Sequence, residues 1–305
     1  MDTARKRIVL IGEGMLELAR PKFASGDEDW RLGYGGDTLN TAIHLARAGH
    51  DVAYFSAIGS DQISAGLIAD WATEGLDTSL VQIHPSRTTG LYAINTDRSG
   101  ERSFTYWRET SAAREMFALP SSAAAAEKAS EADLVCFSLI SLAILPQAGR
   151  DALLSLVQAV RARGGKVAFD GNYRPRLWAS AVEAREARDA AIACADIGLP
   201  TLEDEQLLSA ETDPDSVARH WARLGCTETI VKLGSRGCRL PDGTILPPPA
   251  VLDPVDTSGA GDAFNGGYLA ARMQGATIAD AARRGHELAG WCVMRSGAIP
   301  SRDET

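Results

Sequence analysis

The sequence predicts an α/β protein built on a mostly parallel sheet with helices on both faces. Short, nearly continuous apolar runs recur along the 305 residues, and segments with helical spacing of apolar residues separate them. Continuous runs suit strands buried on both faces, and strand–helix alternation suits parallel pairing. One segment departs from that rhythm, because its apolar residues alternate as in a hairpin.

RIVLIG (7–12) opens the series of strands. DTLNTAIHLARAG (37–49) follows as a helix, with Leu39, Ala42, Ile43 and Ala46 on one face and Gly49 as its stop. DVAYFSAIG (51–59) is the next buried strand. Residues 90–109, GLYAINTDRSGERSFTYWRE, then read as two alternating strands around the turn DRSGE. Phe104, Tyr106 and Arg108 should share one face there, and Ser103, Thr105 and Trp107 the other. Tyr92 and Ile94 share a face of the preceding strand. Such aromatics can cover core or can be presented to a ligand as a lid. SSAAAAEKAS (121–130) reads as an alanine-rich helix with no chemistry implied. ADLVCFSL (132–139), GKVAFD (165–170), ADIGLP (195–200) and ETIVKLG (228–234) continue the strands, with GRDALLSLVQAVRARGG (149–165) as an intervening helix.

Bulk composition excludes several classes of function. Forty acidic residues against 31 basic ones give a net charge of −9, which disfavours a broad nucleic-acid surface. No run is long and apolar enough to span a bilayer, and the N-terminus lacks the pattern of a secretory signal, so no membrane partner and a cytoplasmic setting are expected. Cys136, Cys194, Cys226, Cys238 and Cys292 are odd in number and scattered, which suits reduced thiols in the core or at the surface.

The stretch DTSGAGDAFNGG (256–267) concentrates the chemistry. Its glycines lead into a helical pattern from Asp262, with Phe264, Gly267, Tyr268 and Ala271 on one face. A glycine-rich turn at a helix N-terminus presents free amides and a positive dipole end to an anion. Asp262, in the first turn, can cap the helix, or can accept the proton of a hydroxyl attacking a phosphate. The loop is not a Walker A motif, since no GxxxxGK[ST] occurs. GEGMLE (12–17) also lacks the third glycine of a dinucleotide fingerprint, which disfavours a Rossmann dehydrogenase.

DTSGAGDAF resembles the C-terminal signature of the ribokinase/PfkB family of carbohydrate kinases, and GYGGDTLNTAIHLARAG (33–49) resembles its N-terminal signature. The resemblance implies a ribokinase-like three-layer sandwich plus a small β lid. That lid would comprise about residues 12–36 and 88–110 within one domain spanning 1–305. It implies Asp262 as catalytic base and the backbone of Ser258, Gly259, Ala260 and Gly261 as an anion hole. Gly35, Gly36, Asp37 and Asn40 match the sugar-binding motif, although Asp37 could equally be a helix cap. KLGSRG (232–237) resembles the nucleotide loop, which assigns Lys232, Gly234, Ser235 and Gly237 to ATP together with Asn172; taken alone it is an ordinary turn.

GERSFTYWR, SLAIL, GNYRPRLW and RRGH further resemble the branch of that family acting on the sugar acid 2-keto-3-deoxygluconate. That likeness places Tyr92, Tyr106 and Arg108 at the substrate, with Arg174 reaching a carboxylate or a phosphate. A guanidinium can grip a carboxylate with two parallel hydrogen bonds; without the likeness, each arginine reads as a solvated charge. Kinases of fructose or ribose, and a non-catalytic sugar-acid sensor, are the alternatives. The family's Asn-x-x-Glu pair for Mg2+ is replaced by Thr201 and Asp204, making Asp204 the metal-site candidate and Glu205 its neighbour alternative. MRSGAIP (294–300) leaves a monovalent cation undecided, and a homo-oligomer is compatible with the sequence.

Overall fold

The strand Arg7–Ile11 lies inside an eight-stranded sheet because both of its faces are apolar. Ile8 and Leu10 point into one core cluster with Leu39, Tyr54 and Tyr268, while Val9 and Ile11 point into another with Phe137, Phe169 and Trp221. The computed structural model describes residues 6–19, 30–96, 102–209 and 211–302.

The strands run in the spatial order Glu228–Thr229, Ile197–Gly198, Lys166–Asp170, Leu134–Ser138, Arg7–Ile11, Asp51–Gly59 and Leu76–Asp77, with Val81–His84 also on Asp51–Gly59. Every pairing in this sheet is parallel. Helices Asp37–Arg47, Ala260–Met273 and Ile278–Val293 pack together with the cluster around Leu39. Helices Gln147–Ala162 and Ala181–Cys194 supply Leu153, Val157 and Ile192 to the other cluster. The expected three-layer arrangement is therefore present. Residues 121–130 are helical from Ser122 to Ala129, and all five cysteines are buried free thiols.

A second sheet of four strands stands beside the main one, in the order Arg31–Gly35, Met15–Ala19, Leu91–Thr96 and Arg102–Trp107. The last two pair antiparallel, with Tyr92 opposite Tyr106 and Ile94 opposite Phe104, as the alternating pattern requires. The turn DRSGE between them lies outside the described residues.

Two boundaries differ from the sequence reading. ETIVKLG divides into Glu228–Thr229 in the main sheet and Val231–Lys232, which pairs antiparallel with Cys238–Arg239. Lys232 still bridges Thr201 in parallel, so the run passes from the main sheet into another one. The helix expected from Asp262 begins at Ala260, because Gly259 at φ +67° already makes the entry turn. Among the described residues no helix is long and apolar enough to cross a membrane.

Candidate active site

The C-terminal ends of the parallel strands open into a cleft of about 1890 Å³, bounded on one side by the small sheet. That is where ligands bind in open parallel sheets, and the volume exceeds the few hundred to about 1000 Å³ that one small ligand needs. Two substrates can be held at once.

Asp262 is the third residue of the helix Ala260–Met273 and faces this cleft, almost fully buried. It caps nothing; its Oδ2 accepts from Asn40 Nδ2 at 2.8 Å. Burial, then the neighbouring charge of Asp37, pushes its pKa up to about 8, while the Asn40 bond opposes the shift. Gly259 admits no side chain, because a Cβ there would lie 2.5 Å from the Cβ of Ala298. The helix's opening amides therefore meet the cleft at its glycine turn. The Ser258 amide, expected at the anion hole, donates to Asp256 Oδ1 at 2.8 Å in this structure. Asp256 Oδ2 also accepts from the Gly297 amide at 2.6 Å, so this aspartate ties the loop to the segment Met294–Pro300. Gly259 to Asp262 form the turn at the helix start that lines the cleft.

On the other wall, Asp37 is the first residue of its helix and Gly36 is the cap, so Asp37 is not the N-cap. Gly36 adopts φ +142°, with the Glu13 carbonyl 2.2 Å from where a Cβ would stand. Asp37 accepts from Asn172 Nδ2 at 3.1 Å; burial raises its pKa, and the nearby Ser138 hydroxyl opposes the shift. Asn172, grouped with the nucleotide loop in the sequence reading, thus stands beside the sugar motif. Asn40 Oδ1 and Asn172 Oδ1 are buried acceptors without a partner among the described residues. Since buried polar atoms are ordinarily hydrogen-bonded, both suit ligand hydroxyls. Gly35 stands behind the wall, where the Tyr92 hydroxyl fills the space of a side chain.

The small sheet adds an aromatic wall. Tyr92 stacks on Tyr106 at 5.9 Å between centroids, and Tyr106 on Phe104 at 6.3 Å. Arg108 lines the cleft as expected, but it is buried and its Nη2 donates to Glu13 Oε2. The Tyr92 hydroxyl donates to Glu17.

Lys232 is drawn inward rather than lying on a surface loop. Its Nζ donates to Asp170 Oδ1 at 3.1 Å and Asn265 Oδ1 at 3.2 Å, and Asn265 Nδ2 donates to Asp170 Oδ2 at 2.8 Å. The ammonium lies 3.7 Å from where a side chain on Gly261 would begin, beneath the helix start. Gly234, Ser235 and Gly237 line the cleft further out. Arg174 is half exposed and its Nη1 donates to the Tyr173 carbonyl and to Asp204 Oδ1 at 3.3 Å, so its charge is shared with the metal-site candidate. Burial raises the pKa of Asp204 and Arg174 opposes it. Glu205 is excluded as a metal ligand. It is buried in the core, accepting from Arg188 Nη1 at 2.6 Å and Trp221 Nε1 at 3.1 Å. Among the described residues no cluster of three or more His, Cys, Asp or Glu side chains has metal-holding geometry.

A carboxylate beside a helix N-terminus, facing a polar wall across a two-ligand cleft, is the arrangement of a phosphoryl-transfer site. The family model described as pfkB family carbohydrate kinase matches residues 5–305. The chain belongs to that family. The kinase is 41% identical over 304 residues to the 2-dehydro-3-deoxygluconokinase of Dickeya dadantii, covering 96% of each chain. It is also 41% identical over 308 residues to the protein of that name from Escherichia coli K12, covering 98% of each. Among solved structures, the PfkB protein of Polaromonas sp. JS666 matches with a TM-score of 0.84 at 29% identity over 99% of both chains.

Among the polar residues at or behind this kinase's cleft that escaped the sequence reading are Glu13, Glu17, Asp170 and Asn265. Glu13 and Glu17 both lie within GEGMLE, the fragment of a glycine motif, and Asp170 closes an apolar strand run. A charged residue at the carboxyl end of a buried parallel strand is itself a signal, since that end faces the ligand crevice. Asn265 carries no such signal, lying in mid-helix.

Proposed function

We propose that this kinase transfers the γ-phosphoryl group of MgATP to the terminal primary hydroxyl of 2-keto-3-deoxygluconate, giving 2-keto-3-deoxy-6-phosphogluconate. The observation that carries the reading is Asp262, buried at the head of the helix, beside both the amides that would receive a phosphate and the polar wall that would receive a sugar. The substrate follows from the two relatives at 41% identity over nearly their whole length.

In this reading Asn40 orients the Asp262 carboxylate, which accepts the proton of the sugar hydroxyl. Asp37, Asn40 and Asn172 hold the sugar's hydroxyls, and Tyr92, Tyr106 and Arg108 close over the carboxylate end. The amides of Gly259 to Asp262, with Lys232 beneath them, hold the charge that builds on the transferring group. Gly234, Ser235 and Gly237 border the nucleotide, and Asp204 offers oxygen to the Mg2+ that ATP brings, a donor type suited to that ion. Bound with ATP, the ion would neutralise phosphate charge. Exclusion of water by the small sheet would favour transfer over hydrolysis.

ADP release measured with 2-keto-3-deoxygluconate, the galactonate-derived acid, fructose and ribose tests the assignment. The acid sugar should have the highest kcat/KM. A preference for fructose or ribose would make this a neutral-sugar kinase, and acid-dependent melting shifts without ADP would make it a sensor. Arg108→Ala should raise KM for the acid by roughly tenfold to a hundredfold, the worth of a hydrogen bond to a charged group. Its effect on turnover of neutral sugars should be small.

A further inference from the structure

We infer that Glu13 is a positioning residue for substrate selection, its carboxylate fixed in the body of the protein and aiming the Arg108 guanidinium at the cleft. This rests on reading Arg108 as the group that meets the sugar's carboxylate.

The two side chains are 1% and 7% exposed, and both residues line the cleft. They come from different parts of the fold. Glu13 follows the central strand Arg7–Ile11, whereas Arg108 follows Arg102–Trp107 at the end of the small sheet. Glu13 cannot easily move. Its carbonyl packs against Gly36, the preceding Gly12 amide donates to the Phe55 carbonyl at 3.2 Å, and its Oε1 lies 2.5 Å from where a Cβ on Gly90 would stand.

The Arg108 carbonyl accepts from the Ser111 amide at 3.1 Å, but among the described residues its guanidinium has no hydrogen-bond partner besides Glu13. Its guanidinium lies 5.9 Å from the Tyr106 ring centroid, and Tyr106 is 42% exposed. The pairing uses Nη2 and Oε2, leaving Arg108 Nε and Glu13 Oε1 without partners among the described residues. The fork is therefore held from one corner and not consumed, which leaves donors for a second carboxylate. A long side chain held this way loses less freedom when a ligand binds, so the anchor appears in affinity for the group that Arg108 grips.

Steady-state kinetics of Glu13→Ala, Glu13→Gln and Gly90→Ala, with Arg108→Ala and the Glu13→Ala/Arg108→Ala double variant, test this. Glu13→Ala should raise KM for the acid sugar about tenfold or more, while kcat and KM for ATP stay within about threefold. Glu13→Gln keeps an acceptor and should recover most of the affinity. Gly90→Ala crowds the carboxylate without removing it and should repeat the Glu13→Ala effect. The double variant should match Arg108→Ala alone, since coupled residues do not add.

Loss of one partner of a buried pair lowers the melting temperature under either reading, but a merely structural Glu13 would shift both KM values and kcat together, with no rescue by Gln; that result overturns the inference. So does an unchanged sugar KM in Glu13→Ala while Arg108→Ala raises it. If Arg108→Ala itself leaves the sugar KM unchanged, the carboxylate reading of Arg108 fails first. Should Glu13→Ala not fold, Gly90→Ala and Glu13→Gln decide by the same criteria.

Discussion

Asp262→Asn is expected to lower kcat by about 10² to 10⁴, the range of general-base terms, with the Kd for ATP nearly unchanged. The variant keeps the size of the side chain and an oxygen for Asn40, so the loss reports proton acceptance rather than packing. Near-normal turnover would remove Asp262 from its assigned role. Wild-type activity should also carry an ascending limb with an inflection near pH 8, because the carboxyl must ionise before it can accept a proton.

The same shift acts on stability, and its sign is opposite to that of a salt-bridged carboxylate. Asp262 ionises at about 8 in the folded protein and near 3.8 unfolded, so between those values the native state holds a proton that the unfolded chain has released. Its contribution is intact at pH 4 and is lost as pH rises, the loss being complete above about 8. Asp262→Asn has no such titration. Its melting temperature relative to wild type should therefore climb between pH 5 and pH 8.5, and a constant difference would refute the buried, proton-holding carboxyl. A base kept costly to ionise in this way is a local exchange of stability for chemistry.

Lys232→Met should be the most destabilising of these changes. The ammonium and Asp170 are both buried, and deleting one partner of such a pair leaves the other uncompensated, at about 3–5 kcal/mol. A thermal melt should fall by several degrees or more. The effect should also reach Asp262, since Lys232 is among the groups that hold its pKa down. The ascending limb of the pH profile should move to more alkaline pH in any Lys232→Met protein that folds. A stability loss without that displacement would separate Lys232 from the proton chemistry.

Much of the architecture was legible because it rests on local pattern. Continuous apolar runs marked the parallel strands, and alternation in 90–109 marked the hairpin whose strands set Tyr92 opposite Tyr106. The glycine turn before Asp262 was legible for the same reason: the backbone there needs a conformation only glycine adopts readily. Partnership across the fold was not legible. Spacing could not reveal that Asp256 holds the amides of Ser258 and Gly297, or that Glu13 already holds Arg108. Nor could it tell Asp204, which lines the cleft, from Glu205, whose side chain enters the core one position later. A lysine inside the apolar run TIVKLG was the one local hint of burial, because such a charge requires a partner.

The hydrogen bond between Asn40 and Asp262 joins residues 222 positions apart. Contacts of such separation carry the largest loop-closure cost and tend to form late. In refolding, recovery of turnover should consequently lag the return of helical signal, because secondary structure can be regained before the base meets its partner. During synthesis the sugar wall emerges well before the helix that carries Asp262, so the nascent chain stays catalytically silent until that helix has been made.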